Sequence, residues 1–282
     1  MAVLYIVATP IGNLEDITLR ALRILGEVGL IAAEDTRKTK RLLAAYGIKT
    51  PLTSYHEHNS KAKLGYLLDC LREKDVALVS EAGMPGLSDP GYELVVAAAQ
   101  RGISVVPIPG PSAVTTALAA SALPIHQFTY LGFLPRKKKE RTDLLKSIAS
   151  EARTVVIFES PHRLSNTLKE LAEVLGDRRV SIGRELTKFH EEVFRGTISQ
   201  AIEHFRQPRG EFTLVIEGRR EAEKVALTPE VEHELLRLYE QGVTAKEAVS
   251  RLSPETGLSK NDLYRAWLSL KRSKQGPVEP GN

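Results

Sequence analysis

Short β-branched runs alternate with amphipathic stretches through the first 122 residues. Val3-Leu4-Tyr5-Ile6-Val7 opens a predicted strand over 3–9, and further strands are predicted at 30–34, 51–55, 75–80 and 103–108. Between them Leu19, Leu22, Leu25 and Val28 recur at three- and four-residue steps, as do Leu64, Leu67, Leu68 and Leu71. That spacing gathers apolar side chains on one face of a helix. Strands alternating with such helices predict βαβ units around a mainly parallel sheet. Asp89-Pro90 has the form of an N-cap followed by proline at the first helical position, which predicts a helix over 91–101. In sheets of this kind ligands sit in the loops beyond the strand C-termini.

A second set of elements begins around 123–126, after a helix of small residues ends at Ala122-Leu123-Pro124. Its predicted content is strand 127–134, helix 139–150, strand 153–158, helix 161–175, strands 179–184, 190–195 and 212–217, and a helix at 197–206. Strands adjacent in sequence at its end predict a mixed sheet. The charged stretch 219–226 lacks apolar periodicity and is expected to link to a third unit. There Thr228-Pro229 caps one helix that Gly242 ends, and Thr244 to Glu247 has the form of a capping box, as does Ser259 to Asp262. Three short helices resemble a helix-turn-helix unit. The expected fold class is therefore α/β, with domains at 1–122 and 123–219, a small helical unit at 227–275 and a flexible tail at 276–282.

Composition narrows the setting. Hydrophobic residues at 42% and charged residues at 26% match ordinary globular usage and exclude a disordered chain. Cys70 is the single cysteine, so no disulfide closes within the chain. No Cys/His cluster has zinc spacing, and no metal is expected. No apolar run approaches the roughly 20 residues that span a bilayer, and a cytoplasmic, membrane-free setting is expected. The net charge of +4 matters less than its placement. Residues 228–256 hold six acidic against three basic groups, whereas 257–274 hold Lys260, Arg265, Lys271, Arg272 and Lys274 against Asp262. The last helix is either a phosphate-facing surface or a solvated one. Pro135 to Arg141 carries Arg136, Lys137, Lys138, Lys139 and Arg141 against Glu140. It suits phosphate contacts that position a nucleic acid, or a solvated loop.

Three loops are candidates for ligand binding. Ala8-Thr9-Pro10-Ile11-Gly12-Asn13 follows the first strand with one glycine, and neither a G-x-G-x-x-G nor a P-loop pattern is present, so dinucleotides and nucleoside triphosphates are unsupported. Residues 80–91 hold three glycines and two prolines, which bring backbone close to whatever occupies the sheet edge. Glu81 within it suits a ligand ammonium or hydroxyl, or else a turn cap. Pro109-Gly110-Pro111-Ser112-Ala113 repeats the device ahead of a small-residue helix, which can approach a sheet or a flat ligand.

These loops, taken with Ala33-Glu34-Asp35-Thr36-Arg37, Ser54 to Asn59 and Glu159-Ser160-Pro161-His162-Arg163, resemble the ribosomal-RNA-modifying branch of the tetrapyrrole methylase superfamily over essentially the whole chain. The resemblance implies two α/β domains of the class III methyltransferase type holding S-adenosyl-L-methionine between them. It further implies a homodimer, a partner in 16S rRNA or the small ribosomal subunit, and methylation of the ribose 2′-hydroxyl of a cytidine in the decoding region. Carried over by position, the cofactor meets Pro10, Ile11, Gly12, Glu81, Ala82, Gly83, Leu87, Ser112 and Ala113, with Phe158, Gly196 and Thr197 from the second domain. The single glycine of the first loop departs from the tetrapyrrole-acting members, which carry several.

Methyl transfer to a hydroxyl needs alignment and a group to take its proton. Polar clusters at predicted strand ends supply candidates: Glu34, Asp35 and Arg37; His56; and Lys188. Each is alternatively a surface ion pair or a cap. His162 and Arg163 join the basic loop as candidate RNA contacts, and Tyr55, Phe133 and Phe189 are either stacking partners for a splayed base or core residues. Two rivals stand beside this reading: a relative methylating a tetrapyrrole or protein side chain, and a nucleic-acid-binding protein whose cleft is only a scaffold.

Overall fold

A computed structural model describes residues 2–219 and 227–274, the last four by backbone alone. The expected linker at 219–226, from residue 220 onward, and the expected tail at 276–282 lie outside the described residues. Through Arg219 the chain forms one compact unit, and the residues beyond it form a second.

The first sheet is built from β1 (Val3–Val7), β2 (Leu30–Ala33), β3 (Leu52–Ser54), β4 (Val76–Val79) and β5 (Ser104–Ile108), all parallel in the order β3-β2-β4-β1-β5. Strands β2 and β4 are buried at every position, as both-sided covering of a parallel sheet requires. Alternation divides their side chains between two cores. Leu4, Ile6, Leu30, Ala32, Val76 and Leu78 face α3 (Ser60–Glu73) and α4 (Tyr92–Gln100). Val7, Ile31, Ala33, Ala77 and Val79 face α1 (Leu19–Glu27) and α2 (Thr36–Ala45).

The second sheet runs β6-β7-β10-β8-β9, from β6 (Phe128–Phe133), β7 (Thr154–Glu159), β8 (Arg179–Arg184), β9 (Glu192–Thr197) and β10 (Phe212–Ile216). Only β6 and β7 are parallel. β10 is antiparallel to β7 and β8, and β8 to β9, so the sheet is mixed. One face packs on α6 (Lys138–Ile148), α7 (Pro161–Leu175) and α8 (Ile198–His204). The other receives α5 (Ala113–Ala120), whose Val114, Ala117 and Leu118 meet Val156 and Val215. The small residues of α5 thus bring a helix of the first half against the second sheet, joining the two halves through apolar contact.

Three differences from the sequence reading bear on the site. Helix α4 starts at Tyr92 with Gly91 at its N-cap, at φ 151° and without a side-chain cap, so Asp89 does not cap it. Strand β9 begins at Glu192 instead of 190. The chain before it turns, with the Lys188 N–H bonded to Glu185 O and the Glu191 N–H to Lys188 O, both at 3.0 Å. Tyr55 is fully buried, which decides between its two readings in favour of the core and against a stacking platform.

In the second unit α9 (Pro229–Glu240), α10 (Ala245–Thr256) and α11 (Lys260–Lys274) share a core of Leu235, Leu238, Leu252, Leu263 and Trp267. Thr244 and Glu247 form the expected capping box, and Ser259 accepts the Asp262 N–H at 3.1 Å.

Candidate active site

Strand ends of both sheets and the loops that follow them enclose a cavity of about 400 Å³ in the first unit, within the roughly 300–1,000 Å³ of small-ligand sites. The loop 80–91 forms one wall. Gly83 holds φ +80°, a left-handed conformation that costs other residues roughly 1–2 kcal/mol. Paired hydrogen bonds between Thr9 and Gly83, both 2.9 Å, tie the loop to the end of β1. Opposite stand Phe158 and Glu159 at the end of β7 and Glu211, Phe212 and Thr213 at the start of β10. Ser112, Ala113 and Val114 bring the N-terminus of α5 to the cavity, and the Ser112 side chain makes no cap bond.

Of the expected cofactor residues, Ile11, Glu81, Ala82, Gly83, Leu87, Ser112, Ala113 and Phe158 line this one cavity. Pro10 and Gly12 are outside its lining, as are Gly196 and Thr197. Gly12 answers to a different constraint: a Cβ there would lie 2.4 Å from Lys188 Cγ and 2.8 Å from Thr187 Oγ1. Its glycine lets the first loop pass against residues 186–188. Thr197 caps α8 in a box with Gln200, which engages its hydroxyl in the helix end.

Among the candidate catalytic residues, Glu34 alone lines the cavity, accepting the Glu81 N–H at 3.0 Å. Asp35 caps α2 through the N–H groups of Arg37 and Lys38 at 2.8 and 3.1 Å, and these bonds hold its carboxyl below the ordinary range. Arg37 projects into solvent, 3.7 Å from Asp35. His56 sits after β3 with Nδ1 buried and without a hydrogen-bond partner. Lys188 bridges Glu185 at 2.9 Å and Glu211 at 2.8 Å. Burial opposes its charge, but those two bonds outweigh burial and raise its pKa.

The basic stretch divides. Arg136, Lys137, Lys138 and Lys139 are exposed, whereas Arg141 is turned inward in a paired hydrogen bond with Glu170, both contacts 2.6 Å. Arg163 likewise serves the fold, donating to Leu134 O at 2.8 Å and lying 3.3 Å from Glu159. His162 is exposed. Phe133 is 55% exposed on the cavity wall and Phe189 is 97% exposed.

Several lining residues went unseen in the sequence. Ser88 and Asp89 belong to the 80–91 loop already expected at the ligand, but the form of Asp89-Pro90 as a helix start kept them from being singled out within it. Glu211 to Thr213 enter because β10 is antiparallel, so its N-terminal end lies beside the C-terminal end of β7, with Phe212 paired to Glu159. The Lys38 ammonium, bonded to Glu81, stands on the solvent side of α2.

The acidic residues Glu34, Glu81 and Asp89 share the cavity with the apolar Ile11, Met84, Leu87 and Phe158. This donor set suits a ligand that is cationic at one end and flat and apolar at the other. Two α/β sheets arranged in this way have the fold of class III methyltransferases. Solved structures of uroporphyrin III C-methyltransferase from Thermus thermophilus and of cobalt precorrin-4 methyltransferase superpose with TM-scores of 0.57 and 0.55, at 19% and 22% identity. They cover 77% and 76% of this chain and 97% and 94% of theirs.

The chain belongs to the family of Tetrapyrrole (Corrin/Porphyrin) Methylases, whose profile matches residues 3–202. It is 48% identical over 275 residues to the ribosomal RNA small subunit methyltransferase I of Halalkalibacterium halodurans, covering 94% of each chain. It is 54% identical over 222 residues to that of Thermotoga maritima, covering 78% of this chain and 100% of the relative. Among the described residues no helix is long and apolar enough to cross a membrane, and no cluster of His, Cys, Asp and Glu could hold a metal.

Proposed function

We propose that this protein transfers a methyl group from S-adenosyl-L-methionine to 16S rRNA, at the ribose 2′-hydroxyl of a cytidine in the decoding region. The observation that carries the reading is the convergence of the family-matched loops, 80–91 and 109–113, on one cavity with carboxylates and apolar groups. Relatives at 48% and 54% identity bear the name of a small-subunit rRNA methyltransferase, which supports RNA as the acceptor.

The residues present fit the cofactor. Glu34 and Glu81 would offset its positive charges, Ile11, Leu87 and Phe158 would hold its apolar face, and the Gly83 backbone would admit close approach. When bound, it supplies a methyl carbon activated by a sulfonium. This chain's contribution is to orient the acceptor hydroxyl, exclude water and accept a proton. The exposed cations Arg136 to Lys139 would bind phosphates and position the RNA, with Phe133 at the cavity wall available to stack a base. The same reading carries a homodimer working in the cytoplasm, consistent with a lone, unpaired Cys70.

Calorimetric titration with S-adenosylmethionine tests the cofactor assignment, and incubation with labelled cofactor and unmodified small-subunit particles tests the acceptor. Binding together with label in 16S rRNA is expected. Binding without transfer to RNA would return the site to another methyl acceptor.

A further inference from the structure

Five carboxylates line the cavity: Glu34, Glu81, Asp89, Glu159 and Glu211. Glu81 meets the Lys38 ammonium, and Glu211 meets that of Lys188 at 2.8 Å. Glu159 accepts the Thr167 hydroxyl at 2.7 Å and the Ser160 N–H at 2.8 Å, with Arg163 Nε at 3.3 Å. Glu34 takes the Glu81 N–H at 3.0 Å. Asp89 has no cationic partner among the described residues. Its neighbouring donor is the Ser80 hydroxyl, which also reaches the carbonyl oxygens of Ala82 and Gly83 at 3.2 and 3.3 Å.

The backbone holds Asp89 in this place. Ser88 before it has φ 66°, and the Ser88 hydroxyl lies 2.6 Å from that of Tyr130 on β6. Gly132 makes room for the contact, because a Cβ there would stand 2.6 Å from Ser88 Oγ. After it, Gly91 takes the N-cap of α4, leaving the Asp89 carboxylate free of the helix end. A left-handed serine fixed to the second sheet costs roughly 1–3 kcal/mol, and such strain is concentrated at functional sites.

We propose that Asp89 is the general base of this site, its carboxylate accepting the proton of the acceptor hydroxyl. The inference rests on the methyl-transfer reading above. As the hydroxyl oxygen forms its bond to the methyl carbon, its proton passes to an Asp89 side-chain oxygen, and the electron pair of the methyl–sulfur bond leaves with sulfur. One carboxylate and one sulfonium charge disappear together, so no new charge develops in a partly dry cavity. The groups facing Asp89 are Glu34 at the end of β2, Glu81 after β4 and Tyr130 on β6, with Lys38 of α2 paired to Glu81. Burial first, then Glu34 and Glu81, push its carboxyl up to about 7 against the pull of Ser80. A base is most effective when its pKa lies near the working pH. Asp35, held low by its capping bonds, is a weaker base.

The test compares wild type, Asp89→Asn and Glu34→Gln as full chains. Single-turnover methylation of unmodified small-subunit particles is followed across pH, S-adenosylmethionine binding by calorimetry, and carboxyl titration by infrared difference spectroscopy on the protein alone. The wild-type rate should rise with pH and level off once Asp89 is ionised, with a midpoint below the value of about 7 in the cofactor-free protein because the cofactor's positive charge favours the carboxylate. Asp89→Asn should lower the rate by about 10²–10⁴-fold, remove the rise and keep cofactor affinity. Glu34→Gln, by removing a like charge, should move the midpoint to lower pH. A carboxyl titrating near 7 should be present in the wild type and absent from Asp89→Asn. An Asp89→Asn rate and profile matching wild type would overturn the assignment while leaving the methyl-transfer reading intact. Loss of cofactor affinity in that variant would make Asp89 a cofactor ligand, also overturning it. Absence of methyl transfer by the wild type would overturn both.

Discussion

Asparagine at position 89 is expected to stabilise the folded protein at neutral and alkaline pH, independently of any reaction. In the unfolded chain the carboxyl titrates near its ordinary 3.8, and in the fold at about 7. Between these values the folded protein retains a proton that the unfolded chain has lost, so wild-type stability falls as pH rises through that window and levels off above it. A displacement from 3.8 to about 7 corresponds at full strength to about 4 kcal/mol. Asp89 is only half-buried, and solvent screening reduces the figure to about 2 kcal/mol. For a unit of this size that is about 4–8 °C in Tm. Thermal unfolding of wild type and Asp89→Asn, followed by circular dichroism from about pH 4 to about pH 8, checks the slope. The two should converge at the acid end and separate as pH rises, with the variant melting higher. A difference independent of pH, or a variant melting lower at pH 8, would refute the reasoning.

Three further substitutions probe other parts of the site. Gly12→Ala places a methyl group against Lys188 and Thr187 and should cost about 1–3 kcal/mol by overpacking, read as a lowered denaturation midpoint; unchanged stability would remove the close-approach account. Gly83→Val imposes a β-branched residue on φ +80° and loosens the Thr9 pairing, so S-adenosylmethionine affinity by calorimetry should fall by tenfold or more, about 1.4 kcal/mol. Unaltered affinity would detach this loop from the cofactor. Neutralising Arg136, Lys137, Lys138 and Lys139 together should weaken RNA binding and flatten its dependence on salt, and an unchanged salt slope would return the stretch to a solvated surface.

How far the sequence carries depends on whether a feature is local. The ten strands were legible because β-branched runs interrupted by glycine and proline announce buried strands without tertiary help. Helix α2 was not, because Thr36–Ala45 offers Leu42 and Leu43 as its main apolar pair and its start is set by an Asp35 cap that also reads as a catalytic carboxylate. The loops 80–91 and 109–113 declared themselves through glycine and proline. Their partners Glu211 and Phe212 could not, since they reach the cavity only through the antiparallel placement of β10. Asp89 shows the limit most sharply. Its local code is that of a helix cap, and the contact that redirects it, Ser88 to Tyr130, spans 42 residues. Arg141 and Arg163 counted as basic charge in the sequence, but partners 29 residues away in the chain, Glu170 and Leu134, take them out of the exposed set.

The central claim is that the cavity enclosed by the 80–91 loop, α5 and the β7–β10 strand ends binds S-adenosylmethionine and delivers its methyl group to ribosomal RNA. Its most direct test is incubation of the full chain with methyl-labelled S-adenosylmethionine and small-subunit particles that lack the modification, followed by mapping of the labelled nucleotide. Label confined to a ribose 2′-oxygen of a decoding-region cytidine in 16S rRNA, and lost with Gly83→Val, is the predicted result. Label on a ribosomal protein, on a base, or nowhere in the particle would contradict the account.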